Sequence, residues 1–140
     1  MVVQLICAAL LTIVSALIHG LGVVGIAHWL GLDRPLPNRH RLHVRNAGIL
    51  SAVALLLFLL HLLEIGLFAA FYVAVEALPD MEVALFFSAS AYTTLASPEA
   101  DFPQAWRLLG ALQGLVGFLL IGWSTAFFVI DMNKLLRASY

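Results

Sequence analysis

With 140 residues the chain is long enough for one compact module, and its composition, 63% apolar and 11% charged with a mean hydropathy of +1.02, places that module in a membrane. No stretch is left over for a soluble domain, and a chain this short cannot wrap a wide pore alone. The net charge is −1, and the short basic loop is explained by membrane topology, so nucleic-acid binding is not supported.

The first element is an apolar block, and we predict an N-terminal transmembrane helix over residues 1 to 31. It exceeds the roughly 20 residues needed to cross a bilayer. A signal peptide does not fit, because the block has no basic leader and is longer than an apolar core of about 7 to 15 residues. Cys7 has no second cysteine to pair with, so we expect it to serve as a small packing residue.

The next segment, residues 32 to 45, is predicted to be a basic cytoplasmic loop. It carries Arg34, Arg39, Arg41 and Arg45, and the C-terminus carries Lys134 and Arg137. By the positive-inside rule both segments face the cytoplasm. We therefore predict a multi-pass protein of the cell inner (plasma) membrane, with the N-terminus outside and the C-terminus cytoplasmic.

The remaining chain is predicted to alternate long and short apolar segments. We predict an outer helix over 46 to 78, a short helix over 80 to 94, a loop over 95 to 103 and an inner helix over 104 to 135. The short helix cannot cross a bilayer and fits a re-entrant segment. Irregular backbone at membrane depth is tolerated only where protein buries it or where it faces water, so the short helix and its loop predict a pore or vestibule.

This order of elements, over about residues 46 to 135, resembles the tetrameric potassium-channel superfamily. The resemblance is carried by Phe86-Phe87, Tyr92-Thr93-Thr94-Leu95, Trp106-Arg107, Gly117 and the segments HLLEIGLFAAFY and GWSTAF, which look like a bacterial branch. It implies an all-α membrane protein with three transmembrane helices plus a re-entrant pore helix per subunit, assembled as a homotetramer. The implied function is a cation channel.

The family's selectivity filter is altered in this chain. When Thr94-Leu95 is set on the family's Thr-Val/Leu, the segment from Ala96 to Glu99 replaces Gly-Tyr-Gly-Asp. Potassium selectivity rests on stacked backbone carbonyls, and glycines permit the positive φ angles that aim them. Ala96 and Pro98 oppose that geometry. We therefore expect a channel that discriminates weakly among cations, with a non-conducting sensor or assembly subunit as the alternative.

The resemblance assigns candidate residues to two parts of the pore. The filter and pore-loop candidates are Thr93, Thr94, Leu95, Ala96, Ser97, Glu99 and Asp101, and the inner-pore candidates are Gly117, Phe118, Ile121, Thr125 and Val129. The hydroxyls and carbonyls of the two threonines are expected to hold partly hydrated cations. If Glu99 or Asp101 faces the axis, we expect divalent ions to be preferred, because hard divalent cations favour carboxylate ligands.

A second group of polar residues lies away from the predicted pore. His61 and Glu64 are three residues apart near the middle of the outer helix, and His19 lies at a matching depth in the first helix. Ionisable groups there are costly and are usually paired. The alternatives are a hydrogen-bonded clamp, a proton-sensing pair or a metal site, with haem ligation by the histidines as a further hypothesis.

No feature of the sequence supports an enzyme. No nucleophile, base and oxyanion-stabilising group converge, and no phosphate-binding loop is present. The predicted partners are further copies of the chain, membrane lipids, and monovalent or divalent cations as permeant ions. No resident cofactor and no nucleic acid are expected.

Overall fold

Four helices make up the part of the chain that the computed structural model describes, residues 1–32, 43–95 and 102–137, with the backbone alone for His43, Leu136 and Arg137. They are α1 (Val2–Trp29), α2 (His43–Ala74), α3 (Met81–Tyr92) and α4 (Arg107–Arg137), and a 3-10 turn over Gln104–Trp106 leads into α4. Three are long and apolar enough to cross a membrane, over Val2–Trp29, Val44–Ala74 and Gln104–Leu135. The prediction of an all-α protein with three candidate spans is therefore confirmed.

The helix ends differ from the predicted ones by a few residues, for local reasons. The predicted outer helix ends early because the backbone turns after Ala74, with Glu76 at φ 54°. Helix α3 begins at Met81 because the Asp80 carboxylate accepts a hydrogen bond from the amide of Val83 at 2.9 Å, which caps the helix. It ends at Tyr92 because Thr94 adopts a positive φ of 58°.

Hydrogen bonds between helix ends define how the long helices run. The amide of Leu108, near the start of α4, donates to Gln4 Oε1 near the start of α1 at 3.0 Å. At the opposite end, Asn46 Nδ2 of α2 donates to the carbonyl of Leu135 at 3.2 Å. Helices α1 and α4 are therefore parallel to each other and antiparallel to α2.

The connection between α2 and α3 is anchored by a cluster of aromatic rings. Phe87 and Phe102 stack with centroids 4.0 Å apart, and Tyr72 meets both rings edge-on at 5.2 and 5.5 Å. Burial of such rings is a large favourable term, and edge-on geometry adds to it. The middle of α3 is thus packed between the end of α2 and the segment that leads into α4.

Helix α3 packs between α2 and α4 and ends at a close contact with α4. Gly117 of α4 forms this contact, because a Cβ there would lie 2.8 Å from the Tyr92 carbonyl carbon and closer still to its oxygen. A Cβ at Gly114, one turn earlier, would lie 3.1 Å from the Ala91 oxygen. With 12 residues, α3 is about 18 Å long at the usual rise per residue. Its C-terminal end therefore lies beside the middle of the long helices.

Candidate functional site

The structure brings the three predicted polar residues together at the centre of the bundle. His19 of α1 and Glu64 of α2 are fully buried, and His19 Nδ1 lies 2.8 Å from Glu64 Oε1. His61 Nδ1 lies 3.2 Å from Glu64 Oε2, and the His61 side chain is 17% exposed. Each imidazole thus presents a nitrogen to a different oxygen of one carboxylate.

Helix α3 adds a residue that sequence reasoning did not place in this cluster. The Tyr92 hydroxyl donates a hydrogen bond to Glu64 Oε2, and its oxygen lies 2.8 Å from His61 Nδ1. The Tyr92 ring also meets the His61 ring edge-on. The available pattern was a tyrosine in an apolar half-helix, which predicted a filter neighbour and not a tertiary contact.

Helix α4 closes the cluster from the fourth side through Ser124, which was also missed. Its hydroxyl oxygen lies 3.0 Å from His61 Nε2 and 3.3 Å from His19 Nε2. Trp123 covers the His19 ring at a centroid distance of 5.2 Å. His19, His61, Glu64, Tyr92 and Ser124, here called the polar ring, therefore join all four helices at one level.

A second buried network lies on the aromatic side of the polar ring. The Tyr72 hydroxyl donates to Gln113 Oε1 at 2.8 Å, and Gln113 Nε2 donates to Ser88 Oγ at 2.7 Å and to the Ser88 carbonyl at 3.2 Å. Ser88 Oγ donates in turn to the carbonyl of Ile65 at 2.7 Å. We call Tyr72, Gln113, Ser88 and the Ile65 carbonyl the glutamine relay, which holds α3 between α2 and α4.

The predicted filter threonines lie at the end of α3, one and two residues beyond the polar ring's tyrosine. Both are exposed, and Thr93 Oγ1 donates back to the Ala89 carbonyl at 2.8 Å. Thr94 occupies the left-handed region at φ 58°, which is unusual for a β-branched residue and costs about 1 to 3 kcal/mol. Strained backbone conformations of this kind cluster at functional sites, where the surrounding structure holds them.

Of the remaining filter candidates, only Leu95 belongs to the residues that the structure describes. Leu95 follows Thr94 and is 68% exposed. Ala96, Ser97, Glu99 and Asp101 lie outside the described residues.

The inner-pore candidates of α4 do not all share one face. Phe118, Ile121, Thr125 and Val129 are exposed, and Phe118 is 68% exposed. Gly117 is buried under the Tyr92 carbonyl instead, because only a residue without a Cβ permits that approach. A cavity of about 530 Å³ lies between the end of α3 and the first half of α4, and Thr94, Leu95, Phe118 and Arg107 help to line it.

The geometry of the polar ring bears on the metal and haem hypotheses. Ligand atoms of His19, His61 and Glu64 lie within 4.8 Å of one another. However, the 2.8 Å between His19 Nδ1 and Glu64 Oε1 is a hydrogen-bond distance, whereas two ligands of one tetrahedral zinc ion lie roughly 3.3 Å apart. Both Nε2 atoms contact the same Ser124 hydroxyl, which leaves no room for an iron porphyrin between the imidazoles. The distances fit a hydrogen-bonded network.

Comparison with known proteins adds no relative to this picture. No family model, curated protein or solved structure matches the chain. The superfamily resemblance therefore stays a prediction.

Proposed function

We propose that this chain is one subunit of a homotetrameric cation channel of the potassium-channel type, with an altered and weakly selective filter. The observation that carries the proposal is the placement of α3. It stops beside the middle of α2 and α4, and its C-terminus presents Thr93 and Thr94 on the open side of the bundle. In the proposed channel α3 is the re-entrant pore helix, α2 the outer helix and α4 the inner helix.

The helix dipole supports a cation at the end of α3. The C-terminus of a helix carries a partial negative charge. In α3 the Ala89 and Ala91 carbonyls accept hydrogen bonds from the amides of Thr93 and Thr94, which keeps both threonines at this end. The exposed Thr93 and Thr94 add hydroxyl and carbonyl oxygens at the same place. Four such ends around an axis would present a ring of oxygen ligands, which suits a partly hydrated cation.

The exposed apolar surface beside this end supports assembly with further copies. Phe86 of α3 and Leu115, Phe118 and Leu119 of α4 are exposed in the single chain. One subunit cannot enclose a pore, because no helix of the described residues lies opposite the exposed face of α3. Four subunits arranged as the resemblance implies would supply that wall, and lipid would cover the outer faces of α1 and α2.

The orientation proposed for this channel follows from charge. Arg45 and Lys134 lie at the end of the bundle marked by the Asn46–Leu135 contact, and Glu76, Asp80 and Glu82 lie at the opposite end. Basic residues favour the cytoplasmic side, which places the acidic end outside in the plasma membrane. An acidic outer mouth would concentrate cations before they enter.

The test is bilayer recording of the purified protein, with its oligomeric mass measured in parallel. Under gradients of potassium against sodium and then calcium, we expect cation currents with similar potassium and sodium permeabilities. Thr93→Val and Thr94→Val remove the hydroxyls at nearly constant volume and should change conductance or ion preference. Thr12→Val is the matched control, because Thr12 Oγ1 donates to the Ala8 carbonyl at 2.7 Å as Thr93 does to Ala89.

The outcomes separate the proposed channel from its alternative. Currents that change in the Thr93 and Thr94 variants but not in the Thr12 variant would support the filter assignment. Silence from a verified tetramer would contradict conduction and favour a non-conducting assembly or sensor subunit, which the replacement of filter glycine by Ala96 also favours. A stable monomer would contradict both.

A further inference from the structure

Four side chains of the polar ring form a closed cycle of hydrogen-bond contacts. Glu64 contacts Nδ1 of both imidazoles, and Ser124 contacts Nε2 of both imidazoles. The cycle thus runs from Glu64 to His19, to Ser124, to His61 and back to Glu64 through four contacts. Each contact needs one proton between its two heavy atoms, because two lone pairs facing each other repel.

The protons available on these groups do not fill the cycle unless one is added. A neutral imidazole carries one N–H, the serine hydroxyl carries one O–H, and an ionised carboxylate carries none. Two imidazoles and one serine therefore supply three protons for four contacts. The Tyr92 hydroxyl donates its own proton to Glu64, and its oxygen, 2.8 Å from His61 Nδ1, shares the His61 N–H with Glu64 Oε2. Tyr92 therefore leaves the deficit unchanged.

The missing proton also determines the net charge of the cycle. Without the additional proton the cycle carries the single negative charge of Glu64, which is fully buried at the centre of a membrane-spanning bundle. With the proton on an imidazole, the cycle holds an imidazolium and a carboxylate and is neutral overall. Neutral, fully bonded clusters are the form in which ionisable groups are tolerated in a membrane.

We propose that the polar ring is a binding site for one exchangeable proton, held by His19 and His61 against Glu64 and relayed between the two imidazoles by Ser124. Rotation of the Ser124 hydroxyl decides which Nε2 atom is the donor and which is the acceptor. His61 is the imidazole that exchanges the proton with the surroundings, because it alone of the two is partly exposed. This proposal does not depend on the channel function.

Every helix packed against Glu64 contributes a defined group to the site. The titratable groups that face it are His19 from α1, His61 from α2 and Tyr92 from α3. Helix α4 contributes Ser124 and the Trp123 ring, which do not titrate near neutral pH. Because Tyr92 is the last residue of α3, proton binding is linked directly to the end of that helix.

Glu64→Gln provides a sharp test because it fills the cycle without an added proton. The glutamine amide supplies one N–H to the cycle and its carbonyl accepts from the other imidazole. Two neutral imidazoles, one serine and one amide donor then satisfy all four contacts. The variant is therefore expected to fold, to keep the ring and to bind no additional proton.

The experiment is heteronuclear NMR of the histidine ring nitrogens in the full chain in lipid nanodiscs, from about pH 5 to about pH 9, which includes the usual range of histidine titration. Single His19→Gln and His61→Gln variants assign the signals. Near neutral pH we expect one doubly protonated imidazole per chain, averaged over His19 and His61 and lost in a single step as the pH rises. In Glu64→Gln that doubly protonated state should be lost throughout the range.

Three outcomes would overturn the proposal. The first is two singly protonated imidazoles in the unsubstituted protein at neutral pH, and the second is independent titration of His19 and His61. The third is a change of the ring signals when a metal chelator is added, which would assign the site to a metal ion. The unsubstituted protein decides the question even if Glu64→Gln does not fold.

Discussion

The glutamine relay and the polar ring both hold α3 against α2 and α4, but they do so with different chemistry. In the relay, Tyr72, Gln113 and Ser88 match every donor to an acceptor with groups that stay neutral near physiological pH. In the ring, the contacts among His19, Glu64 and their partners are complete only when one proton is added. With the proposed proton site, α3 therefore has one permanent anchor and one that depends on proton binding.

The two anchors are one helical turn apart, at Ser88 and Tyr92. Four residues on an α-helix place side chains on the same face, so both reach the interior together. Ser88 fixes the middle of α3, whereas Tyr92 fixes the end from which the threonines emerge. A change in the ring should therefore move the end of α3 while the relay keeps its middle in place.

The largest loss of unfolding free energy should come from filling the space at Gly117, where α3 packs against α4. Gly117→Ala places a methyl group 2.8 Å from the Tyr92 carbonyl carbon, where backbone must move. Overpacking costs about 1 to 3 kcal/mol and more against backbone, so we expect a loss of about 3 kcal/mol in unfolding free energy. Gly122→Ala on the same helix is the control, since a Cβ there meets nothing within 4 Å.

Thermal unfolding in nanodiscs followed by tryptophan fluorescence measures this difference. Trp123 reports on the ring side of α4, because it packs on His19. Equal stability of the Gly117 and Gly122 variants would contradict the close approach of α3 to α4, and with it the placement of both anchors.

The second largest loss of unfolding free energy should come from a substitution that breaks only the glutamine relay. Gln113→Leu keeps the side-chain volume but leaves the Tyr72 hydroxyl without its acceptor and Ser88 without its donor. A buried polar group left unpaired costs about 1 to 3 kcal/mol, so we expect a loss of about 2 kcal/mol. This loss should be the same from about pH 6 to about pH 9, because the relay groups do not titrate there. A pH-dependent loss would mean that the two networks are coupled.

The fold was predictable from sequence to a greater extent than the two anchors. Length and apolar composition identified three candidate spans and a short helix, because the bilayer sets those lengths. His61 and Glu64 could be paired from their spacing, and depth along the helices brought in His19. The depth of a residue in the bilayer follows from its position along the helix, so it can be predicted without knowing how the helices pack.

Tyr92 and Ser124 could not be assigned in that way, because their roles depend on helix rotation. Sequence resemblance associated Tyr92 with the predicted filter and Ser124 with an apolar segment. The rotation of α3 and α4 is set by the approach at Gly117, a tertiary contact that no local pattern specifies. Gly117 was predicted to lie in the inner pore, and the structure gives its missing side chain a packing role, because it admits α3.

A smaller loss of unfolding free energy is expected when one hydroxyl is removed from each network. Tyr92→Phe and Tyr72→Phe are the same substitution, and each removes one buried hydrogen bond. Such bonds within membrane proteins contribute about 0.6 to 2 kcal/mol, so both variants should lose about 1 kcal/mol at neutral pH. The Tyr72 loss should not vary with pH.

The Tyr92 loss should increase as the pH rises, for a reason that the ring supplies. Once the ring has released its proton, Glu64 keeps its charge without an imidazolium beside it, and the Tyr92 hydroxyl becomes more important to that carboxylate. Unfolding measured for both variants at about pH 6 and about pH 9 checks this, a range chosen because histidine titrates within it. Parallel curves for the two tyrosine variants would contradict a proton-dependent anchor.

The smallest effect concerns the strained residue just beyond the proton-dependent anchor. Thr94 has φ 58°, so Thr94→Gly should relieve backbone strain and raise the unfolding free energy by about 1 kcal/mol. Thr93, at φ −86°, is the control, and Thr93→Gly should lower it by about 0.5 to 1 kcal/mol because it adds freedom to the unfolded chain. If the stabilised Thr94→Gly protein also loses the currents of the unsubstituted one, the strain is maintained because the threonine side chain is needed where α3 ends. If both glycine variants are destabilised alike, the left-handed turn is not strained, and no backbone strain marks Thr94 as a functional residue.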